Sequence, residues 1–125
     1  MAKDAFSRWM GVAVVQIETG KCKLSMKVKS DMLNGFQIAH GGLTYSLSDS
    51  ALAFAANSYG QHAVSIDTSI KHLYPVKDGD LLLANCLVKN KGKSIGVFTV
   101  DVFNQDEKLV SYFTGTVKFL SEKWA

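Results

Sequence analysis

The sequence predicts an α+β fold, an antiparallel sheet wrapped around one long central helix. Three observations predict it. Residues 21–28 alternate between polar and apolar side chains. Residues 41–59 carry apolar side chains at helical spacing and a single charge. Four more strand-like runs follow, separated by turn-forming residues. The order that results is β-β-α-β-β-β-β, in one domain spanning residues 1–125. A chain of this length buries a core without disulfide or metal staples.

Taken in order, residues 3–10 suit a short helix that buries Phe6, Trp9 and Met10. Residues 12–18 read as a strand. In 21–28, Cys22, Leu24, Met26 and Val28 alternate with Lys21, Lys23, Ser25 and Lys27, which predicts a strand with one buried face. Gly20 marks the turn of a hairpin between these two strands. Residues 30–40 are irregular, with Asn34-Gly35 as a turn signal. Within 41–59, Leu43, Leu47, Phe54 and Ser58 fall on one side of a helix, and Gly60 is a C-terminal cap. Runs 63–74, 80–89, 94–103 and 108–119 read as strands. Pro75 with Asp78-Gly79, then Asn90-Lys91-Gly92, then Asn104-Gln105-Asp106 occupy the turns.

Composition narrows the function. Hydrophobic residues make up 47% and charged residues 20%, which excludes a disordered or collagenous chain. The net charge is +3, with thirteen Lys to one Arg. Arg is the residue suited to bidentate phosphate and guanine recognition, so no sequence-reading nucleic-acid binder is expected. No apolar run reaches the ~18 residues of a membrane helix. The N-terminus mixes charges where a secretory signal needs an apolar stretch. Cys22 and Cys86 lack metal or redox spacing and sit in apolar patterns. They are expected to be reduced core thiols, and the chain is expected to be cytoplasmic.

The helix carries the chemistry. Between Asp31 and Asp67 the one formal charge is Asp49, about two turns inside the helix and too far in to cap it. Its face runs Gly42, Ser46, Asp49, Ala53, Ala56, small residues apart from the carboxylate, so a ligand or a partner helix can approach closely. Asp49 either bonds a neighbouring loop or serves a function. A carboxylate in so apolar a helix costs several kcal/mol (roughly) unless it is paired or protonated, and no Lys or Arg lies within a turn of it. That cost favours a shifted pKa and a functional role. His40-Gly41-Gly42 opens the same helix. Two glycines leave backbone N–H groups unshielded at the positive end of the helix dipole, where they can hold a carbonyl oxygen or an anion.

These residues resemble the hotdog-fold acyl-CoA thioesterases of the phenylacetic-acid-degradation (PaaI) type. The likeness is carried by Asn34-Gly35, His40-Gly41-Gly42-Leu43, Leu47-Ser48-Asp49-Ser50-Ala51 and Ala55-Ala56-Asn57-Ser58. It continues through Leu73-Tyr74-Pro75, Gly79-Asp80, Asn90, Gly92-Lys93 and Gly115-Thr116, so it covers residues 12–119. The resemblance implies a homo-oligomer of edge-paired dimers, often tetrameric, with active sites at the subunit interface. It implies that Asp49 acts as base or nucleophile on an acyl-CoA with an aromatic or medium-chain acyl group. The Gly41–Gly42 N–H groups would polarise the thioester carbonyl, Asn34 would hold that carbonyl or its loop, and His40 would shape the loop. Ser65 stands where some relatives place a water-assisting Ser. Asn90, Lys91, Gly92 and Lys93 resemble a loop that contacts coenzyme A phosphates. A solvated hairpin remains the other reading of that loop. No metal and no cofactor is required.

Two alternatives stay open. A hotdog hydratase or dehydratase would use a His with a carboxylate, as His40 and Asp49 could, though the His-Gly-Gly entry fits the thioesterases better. A non-catalytic acyl-CoA-binding module would keep the pocket without the chemistry. His62 and His72 lack a ligand-spaced partner and read as surface or strand residues. Ser65, Asp67 and His72 have the residue types of a triad but share one strand and cannot converge.

Overall fold

A computed structural model describes residues 10–33 and 41–123. The elements are β1 (Ala13–Glu18), β2 (Lys21–Lys27), a 3₁₀ turn (Ser30–Met32), α1 (Gly41–Asn57), β3 (Gln61–His72), β4 (Leu81–Lys91), β5 (Ile95–Phe103) and β6 (Leu109–Lys123). The strands form one six-stranded antiparallel sheet in the order β1-β2-β4-β5-β6-β3. This is the fold that the sequence predicts, a sheet wrapped around α1. The expected 3–10 helix and the Asn34-Gly35 turn lie outside the described residues, Met10 excepted.

Alternation builds the sheet's inner face. Cys22, Leu24, Met26 and Val28 are all buried, and Leu82, Ala84 and Cys86 of β4 continue the layer. Phe98, Val100 and Val102 of β5 and Phe113 of β6 complete it. From α1, Leu43, Leu47, Ala51, Leu52 and Ala55 press into this layer. Phe54, expected on the same side, is half-buried. Cys22 and Cys86 are free thiols and direct cross-strand partners. Burial pushes the Cys22 pKa up to about 11, and burial beside Cys22 raises that of Cys86.

Two glycines set turns that side chains resist. Gly20 has φ +74° and donates its N–H to Ser58 Oγ at 2.8 Å, while a Cβ there would run into the Tyr59 hydroxyl. The β1–β2 hairpin is thereby fastened to the end of α1. Gly60, at φ +84°, receives the chain as α1 ends, and its N–H reaches the Asn57 carbonyl at 3.2 Å.

Several boundaries differ from the expected ones. β3 begins two residues earlier and ends at His72, because Leu73 and Tyr74 already turn, their N–H groups bonding the Val110 carbonyl. β4 extends to Lys91, so Asn90 and Lys91 are strand residues rather than turn residues. A register shift falls between Val88 and Asn90, and beyond it Asn90 pairs with Val97 and Lys91 with Gly96.

Candidate active site

Three ties fix α1 against β3. Near the helix start, Thr44 Oγ1 donates to the Gly41 carbonyl at 3.2 Å and lies 3.3 Å from His72 Nδ1. Next, the Tyr45 hydroxyl meets Thr68 Oγ1 at 2.7 Å, its ring edge-on to Phe113. At the far end, Asn57 Oδ1 accepts the Ala63 N–H at 3.2 Å, and Asn57 Nδ2 donates to the Ala53 carbonyl at 2.8 Å. Helix and strand therefore run in opposite directions. Asp49, between Tyr45 and Asn57, comes opposite the stretch of β3 between Thr68 and Ala63, where Ser65 stands.

A β-bulge aims Ser65. It pairs with Val117, whereas Asp67 pairs with Thr116, so Ile66 is an extra residue in β3. In a regular strand Ser65 and Thr68, three positions apart, would face opposite sides. The bulge turns both toward α1, the re-aiming that bulges commonly perform beside functional sites.

Between helix and strand lies a cavity of about 320 Å³. Asp49 and Ser65 line it together with Leu52, Ala53 and Ala56 of α1. Ala63, Val64 and Val117 supply the sheet side. Gly115 of β6 lets the helix sit close, since a Cβ there would stand 2.6 Å from Leu52 Cδ2. Asp49 is half-buried, and no described residue hydrogen-bonds or ion-pairs with it. Burial raises its pKa above the usual carboxylate value. The arrangement is a desolvated carboxylate at an apolar cavity with a hydroxyl across from it. It can take a proton from a bound water or attack an electrophilic carbon.

Gly41 and Gly42 open α1 as expected and are exposed. A Cβ at Gly41 would lie 3.2 Å from His72 Nε2, so a glycine there lets His72 pack on the helix start. Asn34 and His40 lie outside the described residues. Asn90, Lys91, Gly92 and Lys93 gather at the β4–β5 hairpin, with β5 and β6 between them and β3. Lys91 Nζ sits 4.3 Å from the Phe119 ring centroid and 5.1 Å from that of Tyr59, and donates to the Gly92 carbonyl at 3.0 Å. Sequence reasoning passed over Leu52, Val64, Val117 and the Thr44–His72 tie. Helical spacing from Asp49 would have found Leu52. The others depend on strand register and on a bulge that no local residue pattern announces.

The family model described as the thioesterase superfamily matches residues 36–111 of this chain. The chain belongs to the thioesterase superfamily. Within it, the chain is 38% identical over 112 residues to the acyl-coenzyme A thioesterase PaaI of Escherichia coli, covering 90% of this chain and 80% of that one. The solved structure of E. coli PaaI, from the phenylacetic acid degradation operon, matches with a TM-score of 0.94 at 36% identity, over 97% of this chain and 88% of that one. Human acyl-coenzyme A thioesterase 13 is 32% identical over 103 residues, 80% of this chain and 74% of its own. A Streptococcus mutans structure bound to acetyl CoA matches with a TM-score of 0.87 at 29% identity, over 90% of this chain and 91% of that one. The likeness to the PaaI structure confirms the hotdog fold.

Proposed function

We propose that this chain hydrolyses acyl-CoA thioesters to a free acid and coenzyme A, with Asp49 as the group that activates or delivers the nucleophile. It is an acyl-CoA thioesterase of the PaaI type. The observation that carries the reading is Asp49 itself, half-buried without a partner among the described residues, at a cavity of acyl-group size. A structural carboxylate would be expected to have found a donor.

Hydrolysis adds oxygen to the thioester carbon, places negative charge on the carbonyl oxygen and expels the coenzyme A thiolate. Asp49 takes the proton of an attacking water, or attacks first and forms an anhydride that water opens. Ser65, across the cavity, holds that water. The backbone N–H groups at the Gly41–Gly42 helix start stabilise the oxyanion, a contribution of about 3 kcal/mol per donor in such sites. Asn34 and His40 help to hold the carbonyl and its loop.

One chain cannot assemble this by itself. Asp49 lies eight residues along α1 from Gly41, roughly 12 Å of helix axis, too far for both to touch one thioester. A second copy must bring its helix start to the first copy's carboxylate. β3 suits that pairing. It is a 12-residue edge strand, it borders the cavity, and Val64 and Ile66 are exposed on it. The active unit is a homodimer joined along β3, or a dimer of such dimers. The basic hairpin with Asn90, Lys91, Gly92 and Lys93 attracts the coenzyme A phosphates. The test is thiol release from a panel of acyl-CoA substrates by the purified protein. Absence of turnover across aromatic and aliphatic substrates would exclude this activity.

A further inference from the structure

We infer that His72 and Thr44 form a hydrogen-bonded relay that aims the Gly41–Gly42 peptide at the start of α1, which makes both of them positioning residues for thioester hydrolysis. The catalytic consequence rests on the thioesterase reading, and the relay itself rests on hydrogen-bond geometry.

The helix start has use for such a device. Glycine is the least restrained of residues, so two in succession impose little direction of their own on the first peptide units of α1. A donor stabilises an oxyanion only when it points at it. Thr44 supplies direction from within the helix. It is buried, and its Oγ1 donates to the Gly41 carbonyl at 3.2 Å. That carbonyl and the Gly42 N–H belong to one planar trans peptide and point opposite ways. Holding the oxygen therefore sets the direction of the N–H.

His72 supplies direction from the sheet. Its Nδ1 lies 3.3 Å from the same Thr44 Oγ1. A threonine hydroxyl has one proton and two lone pairs. A carbonyl only accepts, so the Thr44 proton goes to Gly41. The second contact is then a hydrogen bond only if His72 carries its proton on Nδ1 and donates it. Nε2 is left as the bare ring nitrogen, 3.2 Å from where a Cβ on Gly41 would stand, so a side chain there would crowd the imidazole. The backbone around His72 is anchored in turn. His72 pairs with Ser111 of β6, and the next two N–H groups bond the Val110 carbonyl. The relay runs from β6 through the end of β3 into the first turn of α1. In the homodimer, it aims the donors that one copy offers to the thioester beside the other copy's Asp49.

Nitrogen-15 NMR tests the relay without turnover. At alkaline pH, His72 should show Nδ1 protonated and Nε2 bare. The Gly42 amide signal should move in His72→Phe, which keeps a ring but no donor. It should stay near its wild-type position in His72→Asn, whose side-chain amide can replace the Nδ1–H. His72 is exposed, so both variants should fold. Kinetics reads the consequence. His72→Phe should lower kcat about tenfold, less than the ~100-fold or more for outright loss of an oxyanion donor. KM should not change, nor should affinity for an S-alkyl-CoA thioether, which binds but cannot be hydrolysed. His72→Asn should recover most of the lost kcat. Thr44→Val should lose at least as much as His72→Phe, and the double variant no more than Thr44→Val alone, because the two act in series. Protonation of His72 on Nε2, or a Gly42 amide signal indifferent to His72→Phe, would overturn the relay. So would wild-type kcat in His72→Phe, or His72→Asn as slow as His72→Phe. A wild-type protein that releases no thiol from any acyl-CoA would refute the thioesterase reading, and the NMR signals would still decide the relay.

Discussion

Asp49 is expensive to keep, and the expense can be measured. Burial raises its pKa, so the folded chain holds that proton more tightly than the unfolded chain does. The penalty is absent at pH values below the unfolded-state pKa, where both states are protonated. It grows as pH rises and is complete above the folded-state pKa. Asp49→Asn removes the charge, so its melting temperature should exceed that of the wild type at neutral pH. The gap should close as pH falls toward the unfolded carboxylate value. Thermal melts across that range check this, and a constant gap would contradict a desolvated charge. The proposed role of Asp49 needs its ionised form, so kcat/KM should rise with pH along a limb centred above the ordinary carboxylate pKa. Ser65 makes a separate prediction. If its hydroxyl holds the attacking water, Ser65→Ala should lower kcat by about tenfold, the worth of one hydrogen bond to a developing charge, with KM little changed. Raised KM with unchanged kcat would make Ser65 a binding residue only.

At the scale of elements, α1 and β3 line the cavity and the β1–β2 hairpin braces the end of α1. Gly20 meets the end of α1 through Ser58 and Tyr59. Gly20→Ala combines an unfavourable φ with a clash against the Tyr59 hydroxyl, so it should cost about 1–2 kcal/mol or more. Urea denaturation reads that loss, and an unchanged midpoint would detach the hairpin from the helix end. Much of this level was legible in the sequence. The alternation around Leu24 and Met26 marked β2 because one of its faces is buried and the other is wet. The uncharged stretch around Asp49 marked α1 because a helix held inside a sheet tolerates few charges. β3 was harder to read. As an edge strand it carries exposed residues on both faces, and its bulge at Ile66 breaks period two right beside Ser65, which borders the cavity. The cavity wall at Val117 likewise arises from pairing between β3 and β6, a long-range register that no local pattern encodes.

At the scale of the whole molecule, the proposed site calls for a second copy, because Asp49 and Gly41 lie roughly 12 Å apart along one helix. Ile66→Lys places a charge on the free edge of β3, where Val64 and Ile66 are exposed. Sedimentation should show this variant dissociating to monomer at micromolar concentration, with activity lost in parallel. A fully active monomer would contradict the shared site. The role proposed for the basic hairpin is one of longer range. Changing Lys91 and Lys93 together to Ala should raise KM for acyl-CoA and flatten its dependence on salt while kcat holds, since screened attraction of phosphates is a ground-state effect. An unchanged KM would make the hairpin a solvated surface. All of these expectations converge on the role of Asp49. The most direct measurement is thiol release by Asp49→Asn beside its thermal melt and its affinity for an S-alkyl-CoA thioether. The near-isosteric amide should leave the fold and ligand binding intact and reduce kcat by a factor on the order of 100 to 10,000, the usual contribution of a positioned base. Near-wild-type kcat in a stable, ligand-binding variant would contradict the account.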